Sequence, residues 1–160
     1  MSAASGSGVA PVSLERLSDE REWITARVGA TGYRTEITAG PHSLVADEPI
    51  TAGGTGTGPT PYELLLGALA SCMAMTLRMY ADRKRWPLES VGIQLRTERA
   101  HDKDCAECEQ SEVGIPRVSR RIVLVGPLSE EQRLRLHQIA DRCPVKQTLG
   151  RGMLVETLDI

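Results

Sequence analysis

An α+β fold with the element order βββ-α-ββ-α-β is what this sequence predicts, and three observations carry the prediction. Short segments alternating apolar with polar residues, bounded by Gly and Pro, follow residue 22 and return after residue 87. Between them runs one long, nearly charge-free apolar segment with a helix-start signal at its head. A second helical stripe lies near residue 140, with one more alternating segment behind it. No repeat and no linker divides the chain, so the expectation is a tail over 1–12 and a single domain over 13–160.

Taken in order, Met1–Val12 is small, polar and punctuated by Pro and Gly, which describes a disordered tail rather than a secretory signal. Ser13–Glu22 has the composition of a helical turn. Three strands are expected at Trp23–Val28, Tyr33–Thr38 and His42–Ala46, with turns at Gly29–Gly32 and at Gly40-Pro41. Thr51–Gly58 is too rich in glycine for regular structure and suggests a flexible lid. The long helix then begins with Thr60 as cap, Pro61 in the first position and Glu63 completing T-x-x-E, and runs to about Lys84. Its apolar residues leave no polar face, which predicts burial all round. One chain of this size covers such a helix poorly, so a homodimer sharing the core is expected. Leu88–Arg99 and Val118–Val125 read as strands around a polar, acidic segment at Ala100–Pro116. Ser129 and Gln132 open a second helix with Leu136, Ile139, Ala140 and Cys143 on one stripe, which Pro144 is expected to end. Met153–Leu158 alternates as a final strand.

Composition narrows the function. The chain has 160 residues, 41% hydrophobic and 25% charged, with a net charge of −2 and 3% aromatic residues. With no basic excess and few stacking rings, nucleic acid is not an expected partner. The charge-free apolar run, Leu64–Leu77, is shorter than the roughly 20 residues a bilayer requires. A soluble, cytoplasmic protein is therefore expected, in a compartment that keeps thiols reduced. Four cysteines are too few for a disulfide scaffold and need separate explanations.

Cys72 lies mid-helix and Cys143 at the end of the second helix; most thiols so placed are small core hydrophobes. A reactive thiol needs a cation or donor to hold its thiolate, and no charged residue lies within a turn of Cys72 on its own helix. Glu63 is explained fully by helix capping. Cys105-x-x-Cys108, with His101 before it and Asp102, Asp104, Glu107 and Glu109 around it, fits half a zinc site, a redox dithiol or an acidic surface loop. The glycine loop lacks both G-x-G-x-x-G and G-x-x-x-x-G-K-[ST], so no nucleotide cofactor is expected.

Two stretches resemble the OsmC/Ohr family. One is Gly58-Pro59-Thr60-Pro61-Tyr62-Glu63-Leu64-Leu65-Leu66-Gly67-Ala68-Leu69-Ala70-Ser71-Cys72; the other is Ile139-Ala140-Asp141-Arg142-Cys143-Pro144-Val145 with Thr148-Leu149. They stand in the family's order, and the likeness covers about 22–160. The resemblance implies an intertwined homodimer with active sites at the subunit interface, and a thiol peroxidase acting on organic hydroperoxides. It implies Cys72 as the peroxidatic thiolate, Cys143 as the resolving thiol, and an external dithiol, lipoylated in some members, as reductant. It gives Glu63 the further role of orienting an active-site arginine, for which Arg27 and Arg34 are the candidates and Arg34 the choice. The acidic D-C-x-x-C-E segment looks like one branch of the family. That branch commonly has His after Cys-Pro-Val; here Lys146 keeps the cation but titrates far from neutrality. The other functional class to weigh is a non-catalytic protein that binds an apolar ligand, or senses zinc or redox state through Cys105 and Cys108.

Overall fold

The computed structural model describes residues 23–97 and 117–157. The N-terminal tail, the helical turn at Ser13–Glu22 and the Cys105-x-x-Cys108 segment with His101 lie outside them. The chain forms two compact units, one reaching to Pro61 and taking in the end of the chain from Val155, the other Tyr62–Leu154.

In the first unit, β1 (Ile24–Val28), β2 (Thr35–Ala39) and β3 (His42–Ala46) form an antiparallel meander. Its register pairs Arg27 with Glu36 and Ala39 with His42 across the tight Gly40 turn. The segment after β3 is bonded throughout rather than being the flexible lid expected of it. A short 3-10 turn spans Ile50–Ala52, and the Asp47 N–H donates to the Pro59 carbonyl at 3.1 Å, closing the loop. Asp47 is 2% exposed, and its carboxylate gathers the loop inward. Oδ1 accepts from the Glu48 N–H; Oδ2 accepts from the N–H and hydroxyl groups of both Thr55 and Thr57. Glycine is required at 54 because a Cβ there would stand 1.9 Å from the Glu48 carbonyl oxygen.

The second unit is built on α1 (Pro61–Lys84), with Pro61 in the first position as expected. Long and apolar enough by length and composition to cross a bilayer, α1 departs from all-round burial. Within one chain it buries a single stripe, Leu69, Met73, Leu77 and Ala81, at i, i+4 spacing. An opposite apolar seam, Leu65, Ala68, Met75 and Met79, stays exposed, Met79 to 70%. A single chain has too little surface to cover both faces. The helix stops where Arg85 adopts a left-handed φ of 54°. The Trp86 N–H then reaches back to the Ala81 carbonyl and the Arg85 N–H to that of Asp82.

β4 (Ser90–Thr97) and β5 (Val118–Val125) form an antiparallel ribbon whose inner residues, Val91, Ile93, Ile122 and Leu124, pack on the main core. That core unites Leu77, Ala81, Leu88, Leu128, Leu136, Ile139 and Ala140, so it is aliphatic, as the scarcity of rings requires. Tyr80 and Trp86 flank it as an edge-to-face pair, centroids 5.5 Å apart. α2 (Glu130–Ala140) opens with the expected capping box, Ser129 and Gln132 each bonding the other's backbone.

The end of the chain corrects two expectations. Pro144 does not merely end the second helix, which has already closed at Ala140; it starts α3 (Pro144–Arg151) from the first position. The final strand is absent from 153–157, where Met153, Leu154 and Val155 are 71%, 93% and 91% exposed. Alternation marks a segment able to pair, but pairing needs a free strand edge, and no strand among the described residues takes up these residues.

Candidate functional site

Cys72 and Cys143 come together within the second unit. Cys72, three residues past the buried Leu69, is half-buried and lies beside the exposed seam of Ala68 and Met75. Cys143 is fully buried, on the three-residue connection between α2 and α3, where its N–H bonds the Ala140 carbonyl. Leu69, Met73 and Cys143 form one buried cluster, with Cys72, Ile93, Leu95 and Val145 packed on it. Cys72 thus packs against the cluster that contains Cys143.

The missing activator of Cys72 proves to be the start of α3. Cys143 is its N-cap and Pro144 its first residue, so the next N–H, that of Val145, points out of the helix end and donates to Cys72. Burial pushes the Cys72 thiol up. The bonds from the Cys143 S–H, the Val145 N–H and the Thr76 hydroxyl together outweigh it, and the net direction is down. The Thr76 hydroxyl lies 2.7 Å from the Cys72 carbonyl, one turn along α1, so its one proton serves either that carbonyl or the sulfur. Cys143 goes the other way: burial raises it, and donating to a negatively charged neighbour raises it further. One sulfur is thus held as an acceptor and the other as a proton donor. That is the division of labour a nucleophile and its resolving partner need.

Behind the pair, Asp141 carries an ion-pair bridge. One of its oxygens accepts from Arg120 on β5 at 2.7 Å and from Lys146 in the first turn of α3 at 2.6 Å. Those two bonds hold its carboxyl down at about 2. Lys146, the residue in the place of the expected His, is therefore engaged by a carboxylate.

The remaining assignments fall as follows. Glu63 sits in the first turn of α1, where the helix dipole favours a carboxylate. Arg34 lies in the first unit just ahead of β2, half-exposed and paired with Glu36 at 2.8 Å. Arg27, on β1, is more buried than its apolar neighbours Ile24 and Val28, which are 67% and 55% exposed. The structure thus unites Cys72 with Cys143 and keeps Arg34 among first-unit partners. Sequence reasoning missed the Val145 amide, Thr76 and the Asp141 bridge. The available signal was Pro144 with Gly152 eight residues on, a short helix's opening and close.

Residues 54–157 match the family model described as OsmC-like protein. Among solved structures, the chain resembles an OsmC-like protein from Mycoplasma pneumoniae. The TM-score is 0.65 at 20% identity, over 82% of this chain and 89% of that one. It also resembles an organic hydroperoxide resistance protein OsmC from Legionella pneumophila (0.56, 21%, 79% and 88%). A third is the organic hydroperoxide resistance protein OhrB of Bacillus subtilis (0.51, 22%, 80% and 90%). Comparison with curated protein sequences gives no match.

Proposed function

Because this chain belongs to the OsmC-like protein family, we propose that it is a thiol-dependent peroxidase that reduces organic hydroperoxides to alcohols. The observation that carries the reading is the pairing of Cys72, its thiolate favoured by the start of α3, with Cys143 as a neighbouring thiol donor. In this reading the Cys72 thiolate attacks the terminal peroxide oxygen and the O–O bond breaks. The alkoxide leaves, takes a proton from solvent and departs as the alcohol, while Cys72 becomes a sulfenic acid. The Cys143 sulfur then attacks the sulfenic sulfur, a disulfide forms and water leaves. An external dithiol, such as a lipoylated carrier, returns both thiols.

The aliphatic surroundings of the pair suit an apolar hydroperoxide better than hydrated hydrogen peroxide. Glu63 and Arg34 keep the roles implied by the family likeness: Glu63 orients the arginine, which stabilises the thiolate and polarises the peroxide. The exposed apolar seam of α1 supports a homodimer in which a second copy covers Met75 and Met79 beside Cys72. A reducing cytoplasm is the compartment in which such a cycle turns over.

Reductant-dependent consumption of cumene hydroperoxide tests this reading. Cys72→Ser is expected to lower kcat/KM by at least about a thousandfold, to the level of buffer alone. Equal rates for wild type and Cys72→Ser would remove Cys72 from the chemistry.

A further inference from the structure

Asp141 joins three elements at one atom. It is the C-cap of α2, and its Oδ1 accepts from Arg120 on β5 and from Lys146 in the first turn of α3. Cys143 and Val145 lie on the chain between Asp141 and Lys146, so the bridge spans the turn that carries both. Its other end reaches the wall of the thiol cluster. Arg120 is the register partner of Leu95, and Leu95 packs on the cluster of Leu69, Met73 and Cys143. Val145 packs on the same cluster from α3. The bridge therefore ties the ribbon to the helix start, and both of them line the thiols.

Stability alone gives this bridge little to do. The side chains of Arg120, Asp141 and Lys146 are 29%, 47% and 44% exposed, and ion pairs so placed contribute little to folding. Geometry gives it more. α3 is a helix of eight residues whose N-cap, Cys143, makes no side-chain capping bond, and a helix so short is not stable by itself. The start of α3 thus has the bridge where other helices have a cap. Among the described residues α1 carries no charge within a turn of Cys72. Arg96 and Arg121 stand on the exposed alternation of the ribbon, and Arg142 is exposed.

We propose, resting on the peroxidase reading for the choice of Cys72 as the reacting thiol, that Asp141 is a positioning residue for the thiol pair. Through Arg120 and Lys146 it holds the Cys143 connection and the first turn of α3 on the ribbon. That keeps the Cys143 sulfur and the Val145 N–H directed at Cys72.

Two substitutions break the bridge while changing the local charge in opposite senses, Asp141→Ala and Lys146→Ala. Charge acting through space would lower the pH of half-maximal Cys72 alkylation in the first and raise it in the second. Lost positioning raises it in both, because the thiolate loses a donor. Iodoacetamide labelling of Cys72 in the full chain, read by peptide mass spectrometry, is expected to put both midpoints about 0.5 pH unit or more above wild type. Lys146→Arg keeps a cation for Asp141 and is expected to keep the wild-type midpoint. Tm is expected to fall by no more than about 4 °C in any of the three variants. Unmoved midpoints, shifts of opposite sign in the two alanine variants, or a Lys146→Arg midpoint raised like that of Lys146→Ala would overturn the proposal. A shift accompanied by a larger fall in Tm would overturn it too, because the fold rather than the positioning would have been lost. Failure of cumene hydroperoxide to oxidise Cys72 in wild type is a separate result. It would remove the peroxidase reading and leave the alkylation midpoints to decide the role of Asp141.

Discussion

Cys143→Ala is expected to permit the first oxidation and abolish the cycle. With Cys72 intact, one equivalent of cumene hydroperoxide should still be consumed and leave a sulfenic acid that a dimedone probe traps. Steady-state turnover with a dithiol should fall by about a hundredfold or more, because no neighbouring thiol remains to form the disulfide. The same variant also loses one of the hydrogen bonds that favour the Cys72 thiolate. Removing a donor from the charged form raises the pKa, so the pH at which Cys72 reacts half-maximally with iodoacetamide should move upward. An unchanged pH profile with unchanged turnover would show that Cys143 neither tunes nor resolves Cys72.

Asp47→Ala is expected to have the largest effect on stability. Five donors from Glu48, Thr55 and Thr57 converge on this one buried carboxylate, and without it the loop loses all five of these bonds. A fall in Tm of roughly 5–10 °C follows from losing several such bonds in a chain of this size. The pH dependence has a definite sign. Hydrogen bonds from Thr55, and then Thr57, hold the Asp47 carboxyl well below the usual carboxylate range. A group whose folded pKa is depressed contributes stability above its unfolded pKa and loses it as pH falls toward the folded one. Wild-type Tm should therefore decline below about pH 4, whereas Asp47→Ala should start lower and show a shallower acid decline. A variant that matches wild type in Tm and acid profile would mean that the loop is held by other contacts.

Much of the fold was legible because its signals are local. Strands His42–Ala46 and Val118–Val125 and helix Pro61–Lys84 lie within a residue of expectation, marked by alternation, by Gly-Pro punctuation and by a proline in the first helical position. What failed depends on partners that the local pattern does not contain. Pro144 carries the same chemistry whether it ends one helix or begins the next, and here a three-residue connection lets it do the second. Met153–Val155 alternates like a strand, but a ladder requires an edge elsewhere in the chain. At the site, the sequence motifs pointed to both cysteines. The activation of Cys72 was hidden, because a backbone N–H at residue 145 has no signature in side-chain identity. The Asp47 cradle was hidden for a related reason: in a run of Gly and Thr, only folding shows that the threonines turn toward a single carboxylate.

Mass spectrometry of the full chain after one equivalent of cumene hydroperoxide tests the central claim most directly. Loss of two thiols and a single Cys72–Cys143 disulfide is the expected result, with Cys105 and Cys108 still reduced. A product in which Cys72 keeps its thiol, whether the oxidant is taken up by Cys105 and Cys108 or not at all, would contradict it.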